Sequence, residues 1–314
     1  MTIARSEDWL WDSWYCLDGD TYHAFHLTAP KSLVNPDFRH HNSRVGHSFS
    51  KDLVTWEALP DALLPAQANR FDNKAIWTGS ILKHDGLWHM FYTGIDKRTG
   101  GAIQRIGHAV STDLVRWDRV STEPILEADS RWYSTMSSGE PDEPFRDPWV
   151  FKREDTWHML VTARSNVGEP RTRGVIGHAT STDMLKWTVQ PPLSAPGHDF
   201  GQQEVYQYAE VDGVPILLFC CGWRELSAER QKQMGKLDAT YSLAITADFK
   251  DVDFSKAKPF LHNPVYAGRL IQGTDGRWNL IGFENIVDGE FVGRLSDPIP
   301  VTATASDGLI LRTN

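Results

Sequence analysis

One phrase recurs along this chain with a constant internal order, and that recurrence limits it to a few architectures. Gly46-His47-Ser48-Phe49-Ser50-Lys51-Asp52-Leu53 closes on Trp56. Gly107-His108-Ala109-Val110-Ser111-Thr112-Asp113-Leu114 closes on Trp117, and Gly177-His178-Ala179-Thr180-Ser181-Thr182-Asp183-Met184 on Trp187. A worn copy runs from Ser242 to Phe249. A second phrase, a short turn feeding an aromatic or aliphatic run, occurs five times, at Asp18-Gly19, Asp85-Gly86, Glu154-Asp155, Asp212-Gly213 and Asp275-Gly276. Runs such as Ile76–Leu82, Trp88–Gly94, Ile103–Ser111 and Trp157–Ala163 are short and bounded by turn residues, as strands are. Repeats of about 60 residues without helical periodicity imply propeller blades. The expectation is an all-β, five-bladed propeller spanning 1–314 as one domain, closed by a strand shared between the termini. The only helical stretch expected is Arg224–Leu237.

The turns also set a common phase for what precedes them. Seven residues before Gly19 stands Asp12; eight before Asp155 stands Asp147, and eight before Asp212 stands Glu204. The matching positions of the other two repeats hold Trp77 and Ala267. Innermost propeller strands line a central channel, so equivalent positions converge. Three acids in one phase predict three carboxylates in one pocket, an arrangement too costly to keep without a use.

Such a pocket suits cleavage of a glycosidic bond. One carboxylate attacks the sugar or activates water while another, protonated, donates to the leaving oxygen. Tryptophan faces stack on sugar rings, and Trp11, Trp14, Trp77 and Trp223 are the candidates near the acids. Most of the 13 Trp have a plainer role, as wedges between blades.

Partners and compartment follow from charge and composition. A net charge of −9 without a basic cluster argues against nucleic acid. No apolar run reaches membrane length, and residues 1–8 lack the apolar core of a signal peptide. The three cysteines, Cys16, Cys220 and Cys221, cannot all pair within one chain, and the adjacent Cys220 and Cys221 read as reduced core residues, so a cytoplasmic location is expected. None of the 12 histidines stands at ligand spacing with a clustered donor; those of the repeat phrase fall on different blades. No metal or other cofactor is expected. The partner is a small carbohydrate, and a homo-oligomer is compatible with the sequence.

Several motifs resemble known families. Leu10-Trp11-Asp12-Ser13-Trp14 resembles the nucleophile segment of the levansucrases, glycoside hydrolase family 68. Val45–Pro60, continuing to Pro65, is similar to family 32, the invertases, levanases and inulinases. Ile76-Trp77-Thr78-Gly79-Ser80 resembles that family's Phe-Ser-Gly-Ser segment after an acidic residue, here Asp72, and Phe145-Arg146-Asp147-Pro148 reproduces the Arg-Asp-Pro motif of both. The resemblance covers roughly the first 220 residues. It implies a retaining fructosidase with Asp12 as nucleophile, Glu204 as acid and base, and Asp147 holding sugar hydroxyls beside Arg146. Asp72, Trp77 and Thr78 then join the substrate-binding set.

Departures from the family pattern are specific. Trp11 and Ser13-Trp14 flank the nucleophile in place of Asn-Asp-Pro-Asn-Gly, Leu27 stands where a Gln is usual, and Val205 replaces the Cys after the acid. A C-terminal β-sandwich, usual in family 32, is not expected within 1–314. The reading is cleavage of β-fructofuranosyl bonds in sucrose or short fructo-oligosaccharides, with fructosyl transfer as the other fate of the covalent intermediate. The loops 127–145 and 224–237 are expected to crowd the channel mouth into a pocket. Two alternatives remain: an inverting arabinofuranosidase or xylosidase resembling family 43, and a non-catalytic carbohydrate-binding propeller, which would have lost at least one carboxylate.

Overall fold

Every turn phrase closes a hairpin between the first and second strands of a sheet. Asp85-Gly86 and Asp212-Gly213 place both residues at positive φ (47° and 78°; 51° and 80°), the geometry of a tight two-residue connection. The computed structural model describes residues 3, 5–67, 69–250, 252–262 and 264–312. Residues 1, 2 and 4 of the N-terminal stretch, and 313–314 of the expected domain, lie outside them.

Five antiparallel sheets result. Blade I is built from Asp8–Asp18, Thr21–Pro30, Arg44–Ser50 and Trp56–Leu63. Blade II follows with Ala75–His84, Leu87–Ile95, Gln104–Ser111 and Asp118–Arg119. Phe145–Arg153, Thr156–Arg164, Gly174–Ser181 and Thr188–Gln190 make blade III. Blade IV has Glu204–Val211, Val214–Cys221, Ala239–Ala244 and Lys258–His262. Blade V has Val265–Gln272, Trp278–Val287, Ile299–Thr304 and Gly308–Leu311, with Glu290–Leu295 pairing the far half of its second strand. Its third strand is thus split in two around Asp297-Pro298, where proline offers no N–H to the ladder. The helix α1 spans Ala228–Met234, shorter than the expected stretch, and Ser227 caps it by accepting from Arg230 N at 3.1 Å.

The repeated phrase is the third strand of blades I to IV and the turn that ends it. Its glycine leaves room for the second strand, because a Cβ at Gly46, Gly107 or Gly177 would run into His26, Tyr92 or Val161. Its histidine pairs with one on that strand: His23–His47 and His89–His108 at 2.9 Å, His158–His178 at 3.0 Å. Its aspartate closes the turn. Asp113, for example, accepts from Val115 N and Arg116 N at 2.9 and 2.8 Å while Leu114 sits at φ 64°. Trp117 donates to Leu114 O at 2.8 Å and packs edge-on against Phe25 of blade I; Trp187 meets Phe91 of blade II in the same way. The wedge role is therefore direct.

The apolar core lies between blades. Separate buried clusters join II to III, III to IV and IV to V, and a larger one joins I to both II and V. Ring closure differs from the expectation of a shared strand. Among the described residues, blade I draws all its strands from 8–63 and blade V from 265–311. The chain turns at Arg5–Asp8 into the first inner strand of blade I. Closure rests on one backbone bond, Leu295 N to Ile3 O at 3.1 Å, on Thr274 N donating to Tyr22 OH at 2.6 Å, and on Trp9 against Phe291.

Candidate active site

All five inner strands break register at the same height. The break falls at Asp12 in blade I, at Thr78 in blade II, and at Asp147-Pro148 in blade III. In blades IV and V it falls at Val205-Tyr206 and Ala267-Gly268. Asp147, Val205 and Ala267 have φ of 58°, 57° and 49°. A bulge adds an unpaired residue and re-aims the side chains beside it, which frees them from the strict alternation of a strand. Here it turns the inner-strand side chains toward the axis.

A cavity of about 760 Å³ opens above these bulges. Asp12, Asp147 and Glu204 all line it, with Trp11, Trp77, Thr78 and Arg146. The structure thus brings together seven of the ten residues singled out in the sequence. Trp14 is elsewhere: fully buried within blade I and stacked on Phe25. Asp72 is equally buried, accepting from Tyr92 OH at 2.9 Å and Arg119 Nε at 2.6 Å, a structural ion cluster outside the cavity. Trp223 stands beside the mouth, where its neighbours Gly222 and Arg224 are lining residues while its ring faces Arg224 and Lys236.

Arg146 organises the acids. Its guanidinium donates to Glu204 Oε1 at 2.5 Å, to Gln202 Oε1 at 2.6 Å and to Gln104 Oε1 at 3.1 Å, with Nε 3.4 Å from Asp147 Oδ2. Burial opposes its charge, but Glu204 and Asp147 outweigh that and raise its pKa. The second oxygen of Glu204 accepts from Tyr266 OH at 3.0 Å. Asp147 accepts from Thr162 Oγ1 at 2.8 Å, and its N–H donates to Thr93 Oγ1 at 2.8 Å. Burial pushes Asp147 up to about 7 against the attraction of Arg146. Asp12 accepts a short hydrogen bond from Thr78, and burial raises it as well, while Thr78, Arg269 and Arg39 pull it down. Two raised carboxyls beside an arginine-bound one give a site able to hold both a proton and a negative charge near neutral pH.

The repeat did not point to much of the wall. Arg39 and His40 come from the segment between the second and third strands of blade I, with Arg39 stacked 3.9 Å from the centroid of Phe291. Trp77 Nε1 donates to His40 O at 2.5 Å. Gln104, Gln202, Asp142, Asp238, Tyr266 and Asn285 complete the polar lining. Asp238 accepts from Asn285 at 3.0 Å and from Trp223 N at 2.9 Å, which ties the blade IV loop to the blade V hairpin across the mouth. The loops 127–145 and 224–237 reach the cavity only through Asp142 and Arg224. Only Tyr266 carried a usable signal, standing one residue before the position in phase with Asp12.

Comparisons with known proteins bear on the family and the fold. The profile described as "Glycosyl hydrolases family 32 N-terminal domain" matches residues 13–292. An insoluble β-fructofuranosidase isoenzyme of Arabidopsis thaliana is 32% identical over 175 residues, 53% of this chain and 26% of that protein. A sucrose-6-phosphate hydrolase of Klebsiella pneumoniae is 24% identical over 291 residues, 88% of this chain and 56% of that protein. The chain thus spans between about a quarter and just over half the length of these relatives. Among solved structures, a Bombyx mori β-fructofuranosidase overlays with a TM-score of 0.74 at 22% identity, covering 97% of this chain and 63% of that one. The inulosucrase of Halalkalicoccus jeotgali overlays at 0.76 and 19% identity, covering 98% and 87%. At such identities these overlays speak for the five-bladed fold. The match of the profile across nearly the whole chain, on the fold described above, makes this protein a member of glycosyl hydrolase family 32.

Proposed function

We propose that the chain is a retaining β-fructofuranosidase acting on short fructosides such as sucrose. The observation that carries this reading is the convergence of Asp12, Asp147 and Glu204 on one cavity from three separate inner-strand bulges. In it, a carboxylate oxygen of Asp12 attacks the anomeric carbon of the fructosyl unit. The bond to the leaving oxygen breaks as Glu204 delivers its proton there. Glu204, now a carboxylate, takes a proton from water, which attacks the same carbon and releases Asp12. A sugar hydroxyl in place of that water gives fructosyl transfer. Asp147 accepts from sugar hydroxyls, and its carboxylate, whose charge Arg146 favours, stabilises the positive charge that develops on the ring.

Both oxygens of Glu204 accept, from Arg146 and from Tyr266, which fixes the orientation of the carboxyl in the cavity. Trp11 and Trp77 supply the apolar surface for the sugar. The names of the relatives, β-fructofuranosidases and sucrose-6-phosphate hydrolases, point to the same bond. The three unpaired cysteines support a cytoplasmic location, which fractionation of the source cells would test.

Incubation with sucrose, short fructans and aryl arabinofuranosides, with products resolved by chromatography, decides the reading. Fructose released with retained anomeric configuration is the expected result. Release of arabinose with inversion would assign the site to the other propeller glycosidases, and no product from any of them would leave a binding module.

A further inference from the structure

A second arginine lies below the cavity floor. Arg269, on the inner strand of blade V, is 1% exposed and makes no direct ion pair among the described residues. Its contacts are to the frame that carries the acids. NH1 donates to Val205 O at 3.3 Å and to Tyr206 O, the two bulge residues that follow Glu204. NH2 donates to Gly79 O at 3.4 Å, the residue after Thr78, which bonds Asp12. The guanidinium lies 5.0 Å from the ring centroid of Trp149, two residues beyond Asp147. One side chain therefore touches the inner strands of blades II, III and IV from blade V.

That geometry answers a local difficulty. Val205 is β-branched and sits at φ 57°, a conformation such residues avoid and keep only where surroundings impose it. The donors of Arg269 grip the carbonyls of Val205 and Tyr206, one on each side of Tyr206 and directly after the strained residue. A neutral side chain could supply donors, but the cavity also sets six carboxylates (Asp12, Asp37, Asp142, Asp147, Glu204 and Asp238) against three guanidinium groups (Arg39, Arg146 and Arg224). The charge of Arg269 attracts Asp12 and Asp147 from below, and burial lowers its own pKa only to about 10, so it stays charged at neutral pH. Tyr15 and Cys220 are the other titratable groups that face it.

We infer that Arg269 is a positioning residue: its fork keeps the bulges of blades II, III and IV in one register, and its charge offsets the carboxylates above it. The inference rests on the hydrolase reading only for its kinetic consequence.

The test compares Arg269→Lys and Arg269→Gln with the intact chain in three measurements. These are thermal melting, infrared titration of 13C-labelled aspartate carboxyls, and steady-state kinetics on sucrose. Arg269→Gln should shift the buried aspartate titration upward and lower kcat/KM by roughly 10²-fold in the folded protein, the scale of a displaced catalytic group. Arg269→Lys should restore the titration but not the rate, because one ammonium cannot reach the carbonyls of two blades. A wild-type titration in Arg269→Gln, or wild-type kcat in Arg269→Lys, would overturn the inference. Should Arg269→Gln fail to fold, the Lys variant still decides it. If the intact protein cleaves no fructoside, the hydrolase reading falls while the titration still judges Arg269.

Discussion

Asp147 shows how a single residue trades stability for chemistry. An ordinary aspartate titrates near 3.9, whereas burial holds this one up to about 7. Between those values the folded chain binds a proton that the unfolded chain has lost, so stability falls as pH rises through the window. Asp147→Asn removes that dependence. It should melt higher than the natural chain at pH 8, by an amount equivalent to a few kcal/mol, with the difference vanishing near pH 4. Calorimetry across pH reads this directly, and a variant less stable at pH 8 would contradict it. For Asp12 and Glu204, the two acids proposed to react, the prediction is kinetic. Asp12→Asn should lower kcat at least about 10³-fold with the fold intact, because the glycosyl ester of the proposed mechanism forms on its carboxylate. Glu204→Gln should slow sucrose far more than an activated aryl fructoside, since only the poor leaving group needs the proton. Equal losses on both substrates would remove Glu204 from the acid role.

At the level of the element, blade turns and inner strands carry separate duties. Each turn of the repeated phrase is a self-contained structure, in which an aspartate collects backbone N–H groups and a tryptophan locks the following carbonyl. Asp113→Ala should lower the melting temperature by about 1–2 °C and leave kcat untouched, since one local cap in a large domain contributes little. A change in kcat would show that the outer turn communicates with the axis. The inner strands work differently, because their bulges are what aim the acids. This is why the shared phase brings Asp12, Asp147 and Glu204 to one cavity while Trp14 and Asp72 lie outside its lining. The turn-based phase is shared by all blades, so it marks the bulge position. Trp14, two residues past Asp12, falls on the face packed against Phe25. Asp72 precedes its inner strand and finds Arg119 on the outermost strand of the same blade.

For the molecule as a whole, the ring decides what reaches the acids. The mouth is narrowed by the 36–40 segment, by Asp142 and by the clasp between Asp238 and Asn285. Catalytic efficiency per bond should therefore be higher on sucrose or a fructo-disaccharide than on levan or inulin. Asn285→Ala, which opens the clasp, should narrow that gap. Initial rates on matched substrates measure both effects, and a natural preference for the polymers would refute the pocket reading.

What the sequence determined by itself was local and periodic: five tight turns, the aspartate-capped ends of the third strands, the interblade tryptophans, and the phase that aligns three acids. Each depends on residues within a few positions of one another, so spacing alone exposes it. Only the tertiary structure decided the company those acids keep. Arg146, Gln104, Gln202, Tyr266 and Arg39 meet there from distant parts of the chain. Blades I and V pack against each other and, among the described residues, share no strand. Those contacts join residues far apart in the chain, and they exist only once the five sheets have closed into a ring.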